Sequence, residues 1–461
     1  MWDNRVKRVI LITVLSIIGL AALIYEYGVI VSYKYYAPGT KINGHYVGAK
    51  DIDYADSLLY ENPNDYSLTI KFREDTNTMS GHDIDLKYSF REDLEKIKND
   101  QNPFLWPMSF FASEYKIEKR ISYDHSKVVA FMEGLDSMQE KNMRKPKNPT
   151  IEQAEDGTVS AIPQDPGTVI EDTDAVIETV EKAVMDETKE IDVDAEGFYK
   201  ISVYTVDSPK VQRCVDYCNK IASLDITYTY ADTDISFTPQ ELFGTITISE
   251  NYDAAVNMNS VVTMLMNFAN LHDTYTKQRK FKTHNHNYIT ITNSDYGWEL
   301  DQEAEATALF ADLMHMRDAK RVPEFIHSGF TYDKKCDDIG GFYAEVDLDN
   351  QMMYLYKNHN LVLSSDVVTG CINQGHGTPP GIYDVDYKAS PAVLKGEDYE
   401  SKVTYWMPFN GGIGFHDATW RGSFGGDIYV WGGSHGCVNM PYYNAEELFY
   451  EVEEGMPVIV Y

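Results

Sequence analysis

The chain has 461 residues, more than one ordinary hydrophobic core organises, and a prior of about 150 residues per domain divides it into three globular units. Its 40 Lys and Arg against 72 Asp and Glu leave a formal charge of -32, which repels phosphate backbones and argues against nucleic acid or any other polyanion as partner. Five cysteines are sparse for an extracellular disulfide framework, and their odd number leaves at least one thiol free.

Arg5, Lys7 and Arg8 precede a run from Val9 to Tyr25 that carries no charge; Glu26 interrupts it before Tyr27 to Tyr33 turns apolar again. Such a run predicts a membrane-spanning helix with aromatics at one interface and the basic end in the cytoplasm. A cleaved signal peptide has the same basic start, but no small-x-small cleavage pattern follows the apolar run, and Ala21-Ala22 lies inside it. The reading is an uncleaved anchor over 1–35, with everything after about residue 35 outside the cell.

Beyond Pro38-Gly39-Thr40, Asn43-Gly44 predicts a hairpin over 42–48, Tyr54 to Leu59 a helix, and the alternation from Tyr66 to Phe72 a strand. The polar stretch 141–155 reads alone as a linker. Val176 to Val184 has helical spacing, and the acidic run Asp186 to Glu196 reads as a solvated surface segment. A second unit begins near Pro209, with a helix over 211–224 that carries Cys214 and Cys218 on one face, then a strand over 226–230. Tyr296-Gly297-Trp298 leads into a helix whose early carboxylates Asp301 and Glu303 complement its dipole. Both units run helix, strand, helix, a weak internal duplication without fixed-period identity. His284 and His286 lack a third ligand nearby and read as a surface loop.

From Gly341 the pattern is β throughout: 342–348, 352–357 and 361–369 are joined by tight turns and predict a compact sandwich. One late helix has Asn444 as N-cap with Glu447 three residues on, a capping box, and ends at Gly455 and Pro457 before a strand over 458–461.

Ser434-His435-Gly436-Cys437-Val438-Asn439, opened by Trp431-Gly432-Gly433, sets a thiol two positions after an imidazole on a tight backbone. A neighbouring imidazole activates a thiol, and glycines bring main-chain N–H groups close to a substrate. His435 and Cys437 share a face if the segment is extended. His416, in Ile413-Gly414-Phe415-His416-Asp417-Ala418, lies 437 − 416 = 21 residues upstream and is the freer candidate for general base. His416, His435 and Cys437 are also competent zinc ligands, but structural zinc takes four, and neither Cys-x-x-Cys nor His-Glu-x-x-His occurs. No cofactor or metal is expected.

These residues resemble the L,D-transpeptidase (YkuD) family, whose signature is a His followed some twenty residues later by Ser-His-Gly-Cys, a hydrophobic residue, and Asn or Arg. Gly377-Thr378-Pro379-Pro380-Gly381, Tyr405-Trp406-Met407-Pro408-Phe409 and Pro457-Val458-Ile459-Val460-Tyr461 are similar to it as well, so the resemblance is dense over roughly 340–461. The resemblance implies a multidomain α+β chain: anchor over 1–35, a peptidoglycan-binding accessory domain over 36–208, a second accessory region over 209–328 and a mainly-β catalytic sandwich over 329–461. In this context 141–155 becomes a crossing within the first accessory domain.

It further implies catalysis by Cys437, His416 and His435, support from Ser434, Gly436, Asp417 and Asn439, and substrate contact by Trp406. Main-chain N–H groups around Gly436 and Cys437 would hold the oxyanion. Asp417 orients His416 by side chain or by main chain. The implied partners are peptidoglycan stem peptides, a tetrapeptide donor and a diamino-acid acceptor joined by a 3→3 link, the plasma membrane, and carbapenem β-lactams as inhibitors. An L,D-carboxypeptidase or other hydrolase of the same fold would use the same thioester, and a non-catalytic wall-binding protein would have lost the cysteine or the base. Cys336 and Cys371 stay undecided between a bridge and free thiols.

Overall fold

The computed structural model describes residues 3–112, 114–396 and 400–461, so residues 1 and 2 of the expected cytoplasmic tip lie outside it. The chain divides into two compact units, residues 1–149 with 163–205, and residues 150–162 with 206–461.

In the first unit the apolar run forms the helix Asn4–Lys34, capped by the Asp3 carboxylate on the Arg5 N–H. Among the described residues it is the one helix long and apolar enough to cross a membrane. The Asn-Gly turn forms as expected, with both residues at positive φ (49° and 83°) between Lys41–Ile42 and His45–Tyr46. A larger core lies around the hairpin Ser67–Lys71 and Thr76–Ser80, against which the helices His125–Glu133 and Thr173–Met185 bury Val128, Met132, Val176 and Val180.

The acidic run is corrected here. Within 186–196, Glu190–Asp192 is a strand parallel to Ser67–Lys71, and Ile191 and Val193 are buried while Glu190 and Asp192 face outward. Alternation at period two, not charge content, decides the placement.

The second unit repeats this plan. Ile226–Tyr230 pairs antiparallel with Thr233–Ser236 and parallel with Ala319–Arg321, as Ser67–Lys71 does with Thr76–Ser80 and Glu190–Asp192. In both, the last strand follows a helix capped by an aspartate, Asp172 on the Ala175 N–H and Asp301 on the Ala304 N–H. The weak duplication in the sequence is thus a shared topology. Cys214 and Cys218 lie buried on one face of Pro209–Ala222, and all five cysteines are free thiols.

The hairpin Thr150–Gln153 with Val159–Ile162 belongs to this unit and not to the first, as its place inside 36–208 had suggested. Asn219 on the helix Pro209–Ala222 bonds both the N–H and the carbonyl of Val159. A second hairpin, Arg279–Lys282 with Tyr288–Ile291, lies on the catalytic sheet, where Phe281 and Ile291 pack with Ile382 and Ile459. Its turn explains His284, whose N–H donates to Glu345 and whose ring stacks on Tyr354 at 3.8 Å.

The catalytic region is two sheets over one core. The larger runs in the order Asn360–Asp366, Met352–Lys357, Tyr343–Asp347, Pro457–Val460, Gly381–Asp384. The smaller has Ile413–Asp417 in the middle, antiparallel to Trp406–Asn410 and parallel to Val438–Met440. Met353, Leu355, Met407, Phe415, Met440 and Leu448 fill the space between.

The late helix spans Tyr442–Glu451 and starts three residues earlier than an N-cap at Asn444 predicts, with Pro441 at the N-cap and no side-chain cap. The fixed φ of proline is already suited to helix entry, so the Asn444 and Glu447 pair falls inside the helix instead of at its start.

The placement of Ile191 has a measurable consequence. Ile191→Ala should destabilise the first unit by about 2 to 4 kcal/mol, and Glu190→Gln, an exposed partner of Lys71, by less than about 1 kcal/mol. Hydrogen exchange of peptides over 67–80 in the two variants reads the difference.

Candidate active site

The parallel register of Ile413–Asp417 with Val438–Met440 sets His416 beside Asn439 and brings Cys437 to the end of the neighbouring strand. A cleft of about 240 Å³ is lined by His416, Trp420, Arg421, Ser434, Cys437 and Asn439 among others.

His416 is 3% exposed, and its Nδ1 lies 2.9 Å from the main-chain carbonyl of Asp417. A carbonyl only accepts, so Nδ1 carries the proton and Nε2 keeps its lone pair. That lone pair accepts from the Asn439 amide nitrogen at 2.8 Å. The Asn439 orientation is fixed in turn by Arg421, whose Nε donates to Asn439 Oδ1 at 2.7 Å and whose Nη1 donates to the Gly432 carbonyl at 2.8 Å. Of the two groups Asp417 offers, it is the main-chain carbonyl that bonds the imidazole. Its carboxylate accepts from the N–H groups of Thr404 and Tyr405 and anchors the approach to the neighbouring strand.

The loop before Cys437 is held from within and from behind. Ser434 Oγ donates to the Cys437 carbonyl at 2.6 Å and accepts from the Gly436 N–H at 3.0 Å. Gly436 has φ +125°, a conformation that a side chain strains, and a Cβ there would also press on Ile413 at 3.0 Å. Thr378 donates from Oγ1 to the Gly436 carbonyl at 2.6 Å and accepts from the Gly370 N–H. Gly433 passes so close to Cys371 that a Cβ would meet its backbone nitrogen at 2.5 Å.

Two expectations change. The segment is not extended, so His435 and Cys437 do not share a face: His435 is exposed with its ring centroid 4.7 Å from that of His376, while Cys437 is buried, its Sγ 3.5 Å from the Gly412 carbonyl. Positive φ at Gly436 turns the chain between them. Trp406, expected over the groove, is 5% exposed and packs with Val403 and Cys437 under the site. Trp420, 53% exposed and 5.8 Å from His416 between ring centroids, lines the cleft instead. Of the two amides expected near the oxyanion, that of Gly436 is engaged by Ser434.

Sequence reasoning missed Arg421, Trp420 and Thr378 as site residues. Arg421 lies four residues after Asp417, on a turn, with no motif to mark it, and Thr378 was noted only as part of a Gly-Thr-Pro run.

Burial dominates the electrostatics. It pushes the Cys437 thiol up to about 11, against a smaller opposing effect of the Gly414 main chain. It also holds His416 below the ordinary histidine value, and the nearby Asp417 only partly offsets it. At neutral pH the two groups lining the cleft are therefore a thiol and a neutral imidazole, not a preformed thiolate–imidazolium pair.

Residues 341–460 match the family model for the YkuD L,D-transpeptidase catalytic domain, and residues 78–192 match one described as "Putative peptidoglycan binding domain". A comparison with curated proteins finds no match. Among solved structures, the chain is similar to a cysteine-to-serine mutant of the Enterococcus faecium L,D-transpeptidase, at 31% identity over 54% of this chain and 99% of that one, with a TM-score of 0.46. The catalytic domain of the E. faecium L,D-transpeptidase acylated by ertapenem is 44% identical over 26% of this chain and 98% of that one, with a TM-score of 0.25. With the catalytic-domain match spanning the strands that carry His416 and Cys437, and identity of this order across nearly the whole of those relatives, the chain belongs to the L,D-transpeptidase (YkuD) family.

Proposed function

We propose that this chain is a membrane-anchored transpeptidase that makes 3→3 cross-links in peptidoglycan through a thioester on Cys437. The observation that carries the reading is the tautomer of His416: its proton is tied to the Asp417 carbonyl, so Nε2 carries the lone pair, held by the Asn439 amide in the cleft that Cys437 also lines.

Cys437 Sγ attacks the carbonyl carbon between the third and fourth residues of a donor tetrapeptide, and its proton passes to His416 Nε2, which exchanges its bond to the Asn439 amide for that proton as substrate enters. The Cys437 N–H, next to the attacking sulfur, is the main-chain donor assigned to the oxyanion. Collapse breaks the C–N bond, and the departing D-residue leaves as an amine with the proton from His416. The side-chain amine of a diamino acid in a second stem then attacks the thioester, its proton taken by Nε2, and the thiol is restored. Asn439 and Arg421 position the base, and Ser434, Gly436 and Thr378 position the sulfur. His435, exposed beside His376, supports the cleft wall.

The N-terminal helix, with Arg5, Lys7 and Arg8 before its apolar run, anchors the chain in the cell membrane with the basic end inside and the catalytic domain toward the wall. The module over 78–192 is assigned to peptidoglycan binding, which brings the substrate to the same surface.

Incubation of the full chain with a disaccharide tetrapeptide tests the reaction by mass: a cross-linked dimer is expected, and tripeptide alone would mean that water resolves the thioester. In the same assay Cys437→Ala should abolish turnover with the circular dichroism spectrum intact.

His416→Ala should cost roughly 10²- to 10⁴-fold, and His435→Ala about tenfold or less. Intact-protein mass after carbapenem incubation should show one adduct, absent in Cys437→Ala and much slowed in His416→Ala. The reverse order of the two histidine variants would exchange their roles.

The pH profile follows from the sign of the two shifts. The active form needs neutral His416, whose value is lowered from 6.5, so activity is present above that value and lost only as pH falls through the lowered one. Carbapenem acylation rates should accordingly stay flat from about pH 9 to pH 7 and begin to fall below the ordinary histidine range. A rate that climbs with pH from 7 to 9 in step with a free thiol would mean that His416 is not the base.

A reporter fused at Tyr60 should respond as extracytoplasmic; a cytoplasmic response there would overturn both the orientation and the wall substrate.

A further inference from the structure

The segment from Gln101 to Ala112 carries no charge and holds five large apolar side chains in the open: Phe104, Leu105, Met108, Phe110 and Phe111 are between 54% and 84% exposed. Soluble surfaces rarely gather such a patch without a partner. It lies inside the first unit, in the turns Pro103–Met108 and Ser109–Ala112, and it is fastened to the outer part of the N-terminal helix.

Tyr25 donates its hydroxyl to the Phe104 carbonyl at 2.9 Å, and the Trp106 indole N–H donates to the Tyr25 carbonyl at 3.1 Å. The Trp106 ring lies flush on Gly28, where a Cβ would meet it at 2.2 Å, and Phe104 meets Tyr33 edge-on at 6.2 Å between centroids. Behind it, Ser109 Oγ accepts from the Gly39 N–H and donates to the Trp106 carbonyl, which closes the segment on the chain emerging from the helix.

The level of these contacts identifies the occupant. A hydrocarbon core about 30 Å thick takes about 20 helical residues at 1.5 Å each. Counted from Val9, the first residue after the basic cluster, that span ends near Gly28. Tyr25, Gly28 and Tyr33 therefore straddle the outer boundary between acyl chains and headgroups, where aromatic side chains concentrate. The polar hydrogens of Tyr25 and Trp106 are met by protein carbonyls, as a site poor in water requires.

We propose that residues 103–112 form a second membrane-contact element, a wedge that inserts Phe104, Leu105, Met108, Phe110 and Phe111 into the outer-leaflet interface of the bilayer that the N-terminal helix spans. The inference rests on the anchor reading above. The wedge turns a single flexible tether into a two-point attachment and fixes the height and rotation of the first unit's base at the membrane surface.

The test uses the full chain in phospholipid liposomes doped with a diazirine lipid, photolysed, digested and mapped by mass spectrometry. One preparation carries the diazirine near the glycerol end of the acyl chain and the other at its terminal methyl. The shallow probe should label both 103–112 and the helix near 25–33, and the deep probe should label the helix centre with loss of the adduct on 103–112. Labelling of the helix with none on 103–112 from the shallow probe would overturn the wedge, leave the anchor standing, and assign the apolar face to a protein partner. A helix labelled by neither probe would overturn the anchor and the wedge with it.

Discussion

The parallel pairing of Ile413–Asp417 with Val438–Met440 is the constraint on which the site depends. Parallel neighbours need a crossover, and here the intervening stretch carries Trp420, Arg421 and the glycine-rich turn that ends in Cys437. The cleft is therefore assembled by one crossover: the buried imidazole on the first strand, aromatic wall and cation on the way, the thiol at the entry to the second. A register slip of one residue would exchange His416 for a core position such as Phe415 and empty the site in a single step.

Within that frame each polar group is used in series. Asp417 gives its carbonyl to the imidazole and its carboxylate to the next strand, Asn439 gives one end to the imidazole and takes Arg421 at the other, and Ser434 both donates and accepts across the turn. Buried groups of this kind tolerate few substitutions because removing one leaves a neighbour unsatisfied in a low-dielectric setting. The same rule explains the accessory hairpins. Arg279–Lys282 with Tyr288–Ile291 brings residues 293–295 against the edge strand Gly381–Asp384, with Ile382 bonded on both sides by Asn293 and Asp295, so the larger sheet has no bare edge there.

Much of this was legible in the sequence for a physical reason. Strands over 343–366 are rich in β-branched, aromatic and other apolar residues and turn at short polar runs, and Ser434 to Asn439 combine a thiol with a glycine that only a special dihedral requires. The long apolar N-terminal helix was legible because an uncharged run of that length has few other conformations open to it. What escaped was set by partners distant in the chain. Arg421 matters only once Asn439 lies beside it, and Trp406, buried on its strand, gives way to Trp420, exposed on the turn after Asp417, as the aromatic that lines the cleft. Ile191 was hidden by its acidic neighbours. The shared plan of the two accessory modules was visible as an order of elements and became specific only through pairing, because topology is kept where identity has drifted.

The buried state of the nucleophile also bears on its durability. A cysteine that is 6% exposed, with its thiol pushed up to about 11, holds almost no standing thiolate at neutral pH. Peroxides and small alkylators react with the thiolate, so they find little to attack. Under the proposed mechanism, an electrophile that seats its carbonyl in the cleft meets a thiol that loses its proton only as the new bond forms. Burial therefore acts as a chemical filter, sparing the thiol from indiscriminate oxidation while leaving it open to a group that fits the cleft.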